Sequence, residues 1–174
     1  LHNFLKHKIF ETLHQSFSNN TTLSMEMFDR DVQNVMNEYL QGSIREKNFT
    51  KDARSWSNYR DYKPMVEYAK SNKLDVICAN SPTRYTNLAG RKGQKALMAL
   101  SSDSKKYFAP LPYDTASGKY YEKLTALTKH DAPSTNDTTK AAAQPIMPSG
   151  FNLIMGQSLW DATMAYSISK YLKQ

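Results

Sequence analysis

Polar side chains of three chemical types follow two segments that have the pattern of β-strands. Glu26 lies near the end of the first segment, residues 21–28, and Arg84 and Tyr85 come shortly after the second, residues 74–79. Because the carboxyl ends of parallel strands meet at one edge of a sheet, where α/β proteins bind ligands, we expect a carboxylate, a guanidinium and a phenol to converge there. Structural roles are also open at this point: a cap or ion pair for Glu26, a pair with Glu26 or Asp29 for Arg84, and a half-buried ring for Tyr85.

The histidines near the start of the chain raise the question of a metal site. His2 and His7 are five residues apart, a spacing that does not place both on one helical face, unlike the four-residue spacing of helical zinc ligands. If His2 precedes the helix, that objection is relaxed, and both histidines could face the same edge as Glu26. The single cysteine, Cys78, excludes an internal disulfide and a cysteine-rich zinc site, and its apolar strand is typical of a small core side chain.

The chain is basic, with 23 Lys and Arg against 16 Asp and Glu and a net charge of +7. Acidic residues interleave with the basic ones, so the charge does not indicate a nucleic-acid partner. The segment Gly90-Arg91-Lys92-Gly93 has glycines and cations but lacks the spacing of a P-loop, and nucleotide binding is poorly supported. The sequence contains no run of about 18 apolar residues, so it predicts no membrane-spanning helix.

Hydrophobic periodicity predicts a single α/β domain over residues 1–174. The first helix covers residues 2–17, with apolar side chains every four residues at Leu5, Ile9, Leu13 and Phe17. Further helices are predicted over residues 31–40, from Pro64 onwards, over 83–100 and 118–127, and as a long last helix over 151–172. We expect these helices to flank a mostly parallel central sheet, with Trp160 and Met164 packed against it. Residues 129–150, rich in Pro, Ser, Thr, Asn and Ala, are predicted to be a surface loop.

Two strands are too few for a stable sheet. The sequence begins at Leu1 rather than at a methionine. We therefore expect an opening strand, outside this sequence, that lies beside the strands at 21–28 and 74–79.

Several segments resemble the ChaN-type haem-binding uptake proteins, a branch of the wider Tiki-like superfamily. In the family's order they are residues 24–28, 31–33 and 39–40, then Trp56, Tyr59, Tyr62 and Pro64, then residues 79–85 and 157–165. Members usually open with a strand and a Gly-Glu-x-His segment, followed by a second histidine. His2 and His7 resemble the end of that motif, whereas its glycine and glutamate are absent, which leaves the superfamily's metal-hydrolase constellation incomplete.

The resemblance implies capture of ferric haem in bacterial iron uptake. It implies a lipoprotein of the outer membrane or a periplasmic protein of a Gram-negative bacterium, working with the outer-membrane haem-uptake machinery. Ferric iron is a hard acid that a tyrosine phenolate suits as axial ligand. A neighbouring cation favours the phenolate, and Arg84 adjoins Tyr85, so we predict Tyr85 as the ligand of the haem iron.

The other expected haem contacts follow from the needs of the cofactor. Propionates require cations, for which Arg91 and Lys92 are candidates beside Arg84, and the ring requires apolar neighbours such as Met27 and Phe28. His7 and Glu26 are expected at the same site. The rival iron ligands are Tyr59, Tyr62 and Tyr113. With one protein ligand the second face of the haem stays open, so two copies could meet across it as a homodimer.

Two other functions stay open beside non-enzymatic haem binding. A hydrolase of the Tiki-like superfamily would use His2, His7 and Glu26 with a divalent metal ion to activate water. A protein–protein module would instead use the aromatic cluster between Trp56 and Tyr62 and need no ligand.

Overall fold

The computed structural model describes residues 2–130 and 152–172, which form a mixed α/β fold. The elements are α1 (His2–Phe17), β1 (Leu23–Asp29), α2 (Gln33–Leu40), α3 (Glu46–Asp52), α4 (Tyr59–Ser71), β2 (Val76–Asn80), α5 (Thr83–Lys92), α6 (Gln94–Met98), α7 (Ser102–Lys105), α8 (Gly118–His130) and α9 (Leu153–Tyr171). The predicted fold class, with a parallel sheet and a long C-terminal helix, is confirmed. Within these ranges no helix is both long and apolar enough to cross a membrane.

The strands β1 and β2 run parallel, and in the described ranges they form a sheet of two strands. Leu23 lies opposite Val76 and Met25 opposite Cys78. The register then shifts between Met25 and Asp29, and Asp29 lies opposite Asn80. Both strands therefore end at the same edge of the sheet, which we call the carboxyl edge.

Several element boundaries differ from the sequence-based expectation, most by one or two residues, and three differences are larger. Pro64 lies inside α4, which begins at Tyr59; the buried Tyr59 ring packs against the rings of Phe28 and Phe49, and this packing favours helix ahead of the proline. Gly93 divides the predicted 83–100 helix into α5 and α6, because its φ of +72° is readily adopted by glycine alone. The predicted 129–150 loop lies outside the described residues except at 129 and 130, which still belong to α8.

Packed aromatic rings form part of the core between the sheet and the helices that follow β1. Tyr39 and Phe49 stack with ring centroids 4.3 Å apart, and Phe28 lies 5.5 Å from Phe49. A second core cluster contains Tyr85, Leu97, Phe108 and Leu159. The first cluster fixes the sheet, and the second fixes α5 against α9.

Helix α9 is bonded to both ends of β2. Ser167 Oγ donates to the carbonyl of Ala79 at 2.9 Å, and Trp160 Nε1 donates to the carbonyl of Ser81 at 3.2 Å. At the other end, the hydroxyl of Tyr171 accepts from Thr22 at 2.9 Å and donates to Asp75 at 2.7 Å. The last described helix therefore packs on β2, and Trp160 contacts the residue that follows this strand, while the packing of Met164 stays a prediction.

Candidate functional site

An ion-pair network lies at the carboxyl edge and is centred on Asp31. Arg84 Nη1 donates to Asp31 Oδ2 at 2.6 Å, and Arg54 Nη2 donates to Asp31 Oδ1. Arg54 Nη2 also donates to Asp29 Oδ2, at 3.1 Å. The side chain of Asp31 is 11% exposed, whereas both arginines are half-exposed. One buried carboxylate thus bridges two guanidinium groups that face solvent.

The network joins three segments that are distant in sequence. Asp29 is the last residue of β1, and Asp31 lies in the single 3-10 turn that follows it. Arg54 comes after α3 with a φ of +52°, a value that is rare outside glycine. Arg84 lies in the first turn of α5, directly after β2. The order of strand ends therefore brings these charges to one edge, as α/β topology dictates.

Tyr85 is held between Arg84 and the second core cluster. Arg84 Nη2 donates to the Tyr85 hydroxyl at 3.2 Å, and the guanidinium carbon lies 4.4 Å from the centroid of the Tyr85 ring. The ring centroid of Phe108 lies 5.0 Å from that of Tyr85. Tyr85 is 7% exposed. A cation therefore contacts both the ring and the oxygen of a largely buried phenol.

Both arginines of the network are held in the charged state. Burial lowers the pKa of Arg84, but the hydrogen bonds to Asp31 and Tyr85 raise it by more than burial lowers it, so the net shift is upward. The pKa of Arg54 is raised in the same way, against burial, by Asp31 and Asp29. Burial raises the pKa of Asp29, and the Arg54 hydrogen bond opposes that shift.

The remaining predicted site residues lie apart from the Arg84–Tyr85 pair. His7 packs on α4, with its ring centroid 5.7 Å from that of Tyr68 and its Nε2 3.6 Å from Glu11. Arg91 and Lys92 are exposed in the last turn of α5, about 9–10.5 Å along the helix axis from Tyr85 at 1.5 Å per residue. Glu26 is exposed, and within the described ranges we find no ion pair or hydrogen bond to its carboxylate. The structure thus unites Arg84 and Tyr85 but not the other four.

Glu26 lines a separate cavity that we call the α1–β1 groove. The groove measures about 470 Å³. It is lined by Lys6, Ile9, Phe10 and Leu13 of α1, by residues 22–27, and by Trp56, Tyr62 and Met65. Its walls are mainly apolar, with one cation, one carboxylate and one phenol among them.

The three rival tyrosines have different surroundings. The Tyr59 hydroxyl is buried without a hydrogen-bond partner in the described structure, and burial raises its pKa. The Tyr113 hydroxyl donates to the carbonyl of Met155 at 3.0 Å, and burial raises its pKa to about 12. Tyr62 is half-buried in the α1–β1 groove, where Lys6 Nζ lies 5.8 Å from its ring centroid. Tyr62 is therefore the rival that faces open space.

Sequence reasoning missed the two residues that complete the network, Asp31 and Arg54. Asp31 carried a usable signal, because it follows the end of a predicted strand by three residues. Arg54 carried none, since its position depends on its own left-handed backbone conformation after α3. The carboxylate that meets Arg84 is Asp31, whereas Glu26 and Asp29 had been the sequence-based candidates.

In the described ranges, no three His, Cys, Asp or Glu side chains lie close enough together to hold a metal ion. The side chain of His2 lies outside what the structure describes, so the set His2, His7 and Glu26 stays a prediction. Cys78 is buried, and burial raises the pKa of its thiol.

Comparison with known proteins identifies a family over the full length. A family model described as haem-binding uptake, Tiki superfamily, ChaN matches residues 1–174. Comparisons with curated proteins and with solved structures gave no match.

Proposed function

The chain belongs to the haem-binding uptake family ChaN of the Tiki superfamily, and from this premise we propose that it binds ferric haem through one tyrosine phenolate. When bound, haem supplies a ferric iron that accepts an anionic oxygen ligand. The protein's part is to provide that oxygen, a cation beside it and charged groups for the propionates.

The observation that carries the assignment to Tyr85 is its hydrogen bond with Arg84. A guanidinium nitrogen lies 3.2 Å from the phenol oxygen, so a positive charge stands beside the atom that would bind the iron. Asp31 holds Arg84 in that position through its own 2.6 Å bond. The phenol oxygen is the one metal donor of this group, and it suits a hard ferric iron; a fixed cation and an aromatic neighbour, Phe108, lie beside it. Arg84, Arg91 and Lys92 are the cations that we propose for the propionates.

Tyr62 is the second candidate ligand, because the α1–β1 groove offers the space that Tyr85 lacks. The groove combines apolar walls with one cation, Lys6, at a volume in the usual range for small-molecule sites. Glu26 also lies there, so a haem at Tyr62 would meet Glu26 and Met27 rather than Arg84.

Haemin titration of matched variants separates the two ligands. We expect Tyr85→Phe to lose the high-spin tyrosinate charge-transfer band and to weaken ferric haem binding more than about tenfold, the effect of 1.4 kcal/mol. Tyr62→Phe and the exposed control Tyr121→Phe should keep the band. If Tyr62→Phe alone loses it, the ligand is Tyr62. If unmutated protein gives only the spectrum of free haemin, the haem-binding proposal fails.

The proposal extends to the cell and to assembly. We propose that the protein serves bacterial haem uptake, anchored to the outer membrane or in the periplasm, and passes haem to or from the uptake machinery without catalysing a reaction. An open second haem face would let two copies meet as a homodimer. Sedimentation should then show a dimer that forms on addition of haemin and does not form in Tyr85→Phe. A dimer that is present equally with and without haemin would contradict this arrangement.

A further inference from the structure

A polar cavity lies beside β2, between the start of α2 and the end of α9, and we call it the β2 cavity. It measures about 330 Å³, which is the lower end of the range for small-molecule sites. It is lined by Arg30, Gln33, Asn37, residues 75–77, Ser167, Lys170 and Tyr171. It shares no residue with the Arg84–Tyr85 pair, the network around Asp31 or the α1–β1 groove. A ligand here would therefore be separate from haem.

Arg30 brings a positive charge to the β2 cavity without a carboxylate partner. Its Nη1 donates to Ser167 Oγ at 2.6 Å, and its Nε and Nη2 donate to the main-chain carbonyl of Lys106 at 3.4 and 3.3 Å. Burial lowers the pKa of Arg30, and in residues 2–130 and 152–172 we find no ion pair that offsets this effect. A guanidinium carries five N–H groups, so these three bonds leave two of them free to donate.

The amides of the cavity also leave a donor unused. Gln33 is fully engaged: its Nε2 donates to Asn37 Oδ1 at 2.9 Å and to the carbonyl of Val76 at 2.8 Å, and its Oε1 accepts from the N–H of Cys78 at 2.8 Å. The oxygen of Asn37 is thus occupied, whereas its Nδ2 has no partner among the described residues. Lys170 is exposed and makes no ion pair in the same part of the chain. Two cations and an amide N–H₂ therefore await an acceptor.

The charge balance of the cavity selects the acceptor. Asp75 is the one carboxylate in the lining, and its Oδ2 accepts from the Tyr171 hydroxyl at 2.7 Å. Arg30 and Lys170 against Asp75 leave a net charge of +1, which a monoanion balances and a phosphate dianion exceeds. The two oxygens of a carboxylate also match two N–H groups of one guanidinium. A carboxylate is therefore the group that fits the unused donors.

Apolar lining extends the ligand beyond its carboxylate. Val76 and Ile77 of β2 contribute to the wall beside the polar groups. Contact with them favours a short aliphatic chain, since removal of apolar surface from water is favourable.

We propose that the β2 cavity binds a small organic monocarboxylate with a short aliphatic chain. Arg30 and Lys170 hold its carboxylate, Asn37 Nδ2 donates to the same oxygens, and its chain lies against Ile77. The inference does not depend on haem binding.

Titration with butyrate, followed by nuclear magnetic resonance of the labelled 174-residue chain, tests the proposal. Haemin is left out, and chloride keeps the ionic strength constant. The main-chain amides of Val76 and Ile77 and the Nε–H of Arg30 should shift and reach saturation. Acetate, which lacks the chain, should bind more weakly than butyrate.

Variants identify the groups that hold the carboxylate. Arg30→Lys keeps the charge but loses the paired N–H groups, and it should raise the Kd for butyrate at least about tenfold. Lys170→Gln should raise it about threefold, because this cation is exposed. The matched control is Lys47→Gln, an exposed lysine of α3 outside the cavity, which should leave the Kd unchanged. Asp75→Asn should lower the Kd, since it removes the repelling carboxylate.

Distinct results would overturn the proposal. One is the absence of saturable shifts at Val76 and Ile77 with butyrate in the tens of millimolar. Another is tighter binding of inorganic phosphate than of butyrate, which would assign the cavity to a different anion. If far-UV circular dichroism shows that Arg30→Lys disturbs folding, Lys170→Gln decides, and a Kd equal to that of Lys47→Gln overturns the proposal. Haemin spectra are recorded separately, so failure here leaves the haem assignment intact.

Discussion

Asp31→Asn should destabilise the protein through the two arginines at the carboxyl edge. The substitution keeps the size of the side chain but removes the charge that Arg54 and Arg84 share. It also turns an amide N–H₂ towards one of the two guanidinium groups. Because Asp31 is 11% exposed, water replaces the lost partner poorly.

The magnitude follows from the exposure of the partners. Exposed ion pairs contribute about 0.2–1 kcal/mol each, and both arginines are half-exposed, so each bond is placed at the upper end of that range. Loss of two such bonds lowers the free energy of unfolding by about 1–2 kcal/mol. For a chain of this length that equals a fall of roughly 2–8 °C in Tm, at 2–4 °C per kcal/mol.

Urea unfolding at pH 7, followed by tryptophan fluorescence and far-UV circular dichroism, measures this loss. Asp103→Asn is the matched control, because its pair with Lys106 is fully exposed and spans only three residues. We expect no measurable change in the control. Equal midpoints for Asp31→Asn and Asp103→Asn would refute the view that the network stabilises the carboxyl edge.

Three further outcomes are expected. Gln33→Ala should lower the free energy of unfolding by about 2–4 kcal/mol, because the carbonyl of Val76 and the N–H of Cys78 in β2 lose their hydrogen-bond partner. An effect no larger than that of the exposed Gln15→Ala would show that the Gln33 amide does not stabilise the edge of β2. Leu159→Ala should cost about 2–5 kcal/mol in urea unfolding, because its side chain is 0% exposed in the second core cluster; a neutral result would mean that the cluster does not fix α5. Tyr113, whose pKa is raised from 10.0 to about 12, stays protonated in the folded state while the unfolded chain releases its proton first. The stability that this raised pKa contributes is therefore complete below pH 10 and is lost between pH 10 and about pH 12. Over that interval the Tm of Tyr113→Phe should decline less steeply than the Tm of the unmutated protein. Parallel curves of Tm against pH would exclude Tyr113 as a cause of the decline.

Periodicity and strand-end reasoning predicted much of the fold and part of the candidate site. The apolar step of four residues predicted α1, but periodicity does not say which face is buried, and the core takes Phe10 while Leu5 and Ile9 stay exposed. The two strands and their common edge were predicted, and Arg84 and Tyr85 do lie at that edge.

The identity of the carboxylate at that edge could not be read from the pattern. The register of β1 shifts between Met25 and Asp29, so the strand ends one residue later than predicted and presents Asp29 and Asp31. Glu26 is left on the groove side. Arg54 reaches the network because its own backbone is left-handed and because it pairs with Asp31, 23 residues earlier; neither feature has a local sequence signal.

The bonds between α9 and β2 have a consequence for folding during synthesis. Ser167, Trp160 and Tyr171 complete hydrogen bonds of residues about 80 to 150 positions earlier in the chain. Contacts at such separation form only after the intervening chain has left the ribosome and its loop has closed. The sheet therefore stays partly uncovered until α9 has been translated. A nascent chain halted before α9 should be a good substrate for chaperones and proteases, and this vulnerability should end once α9 has left the ribosome.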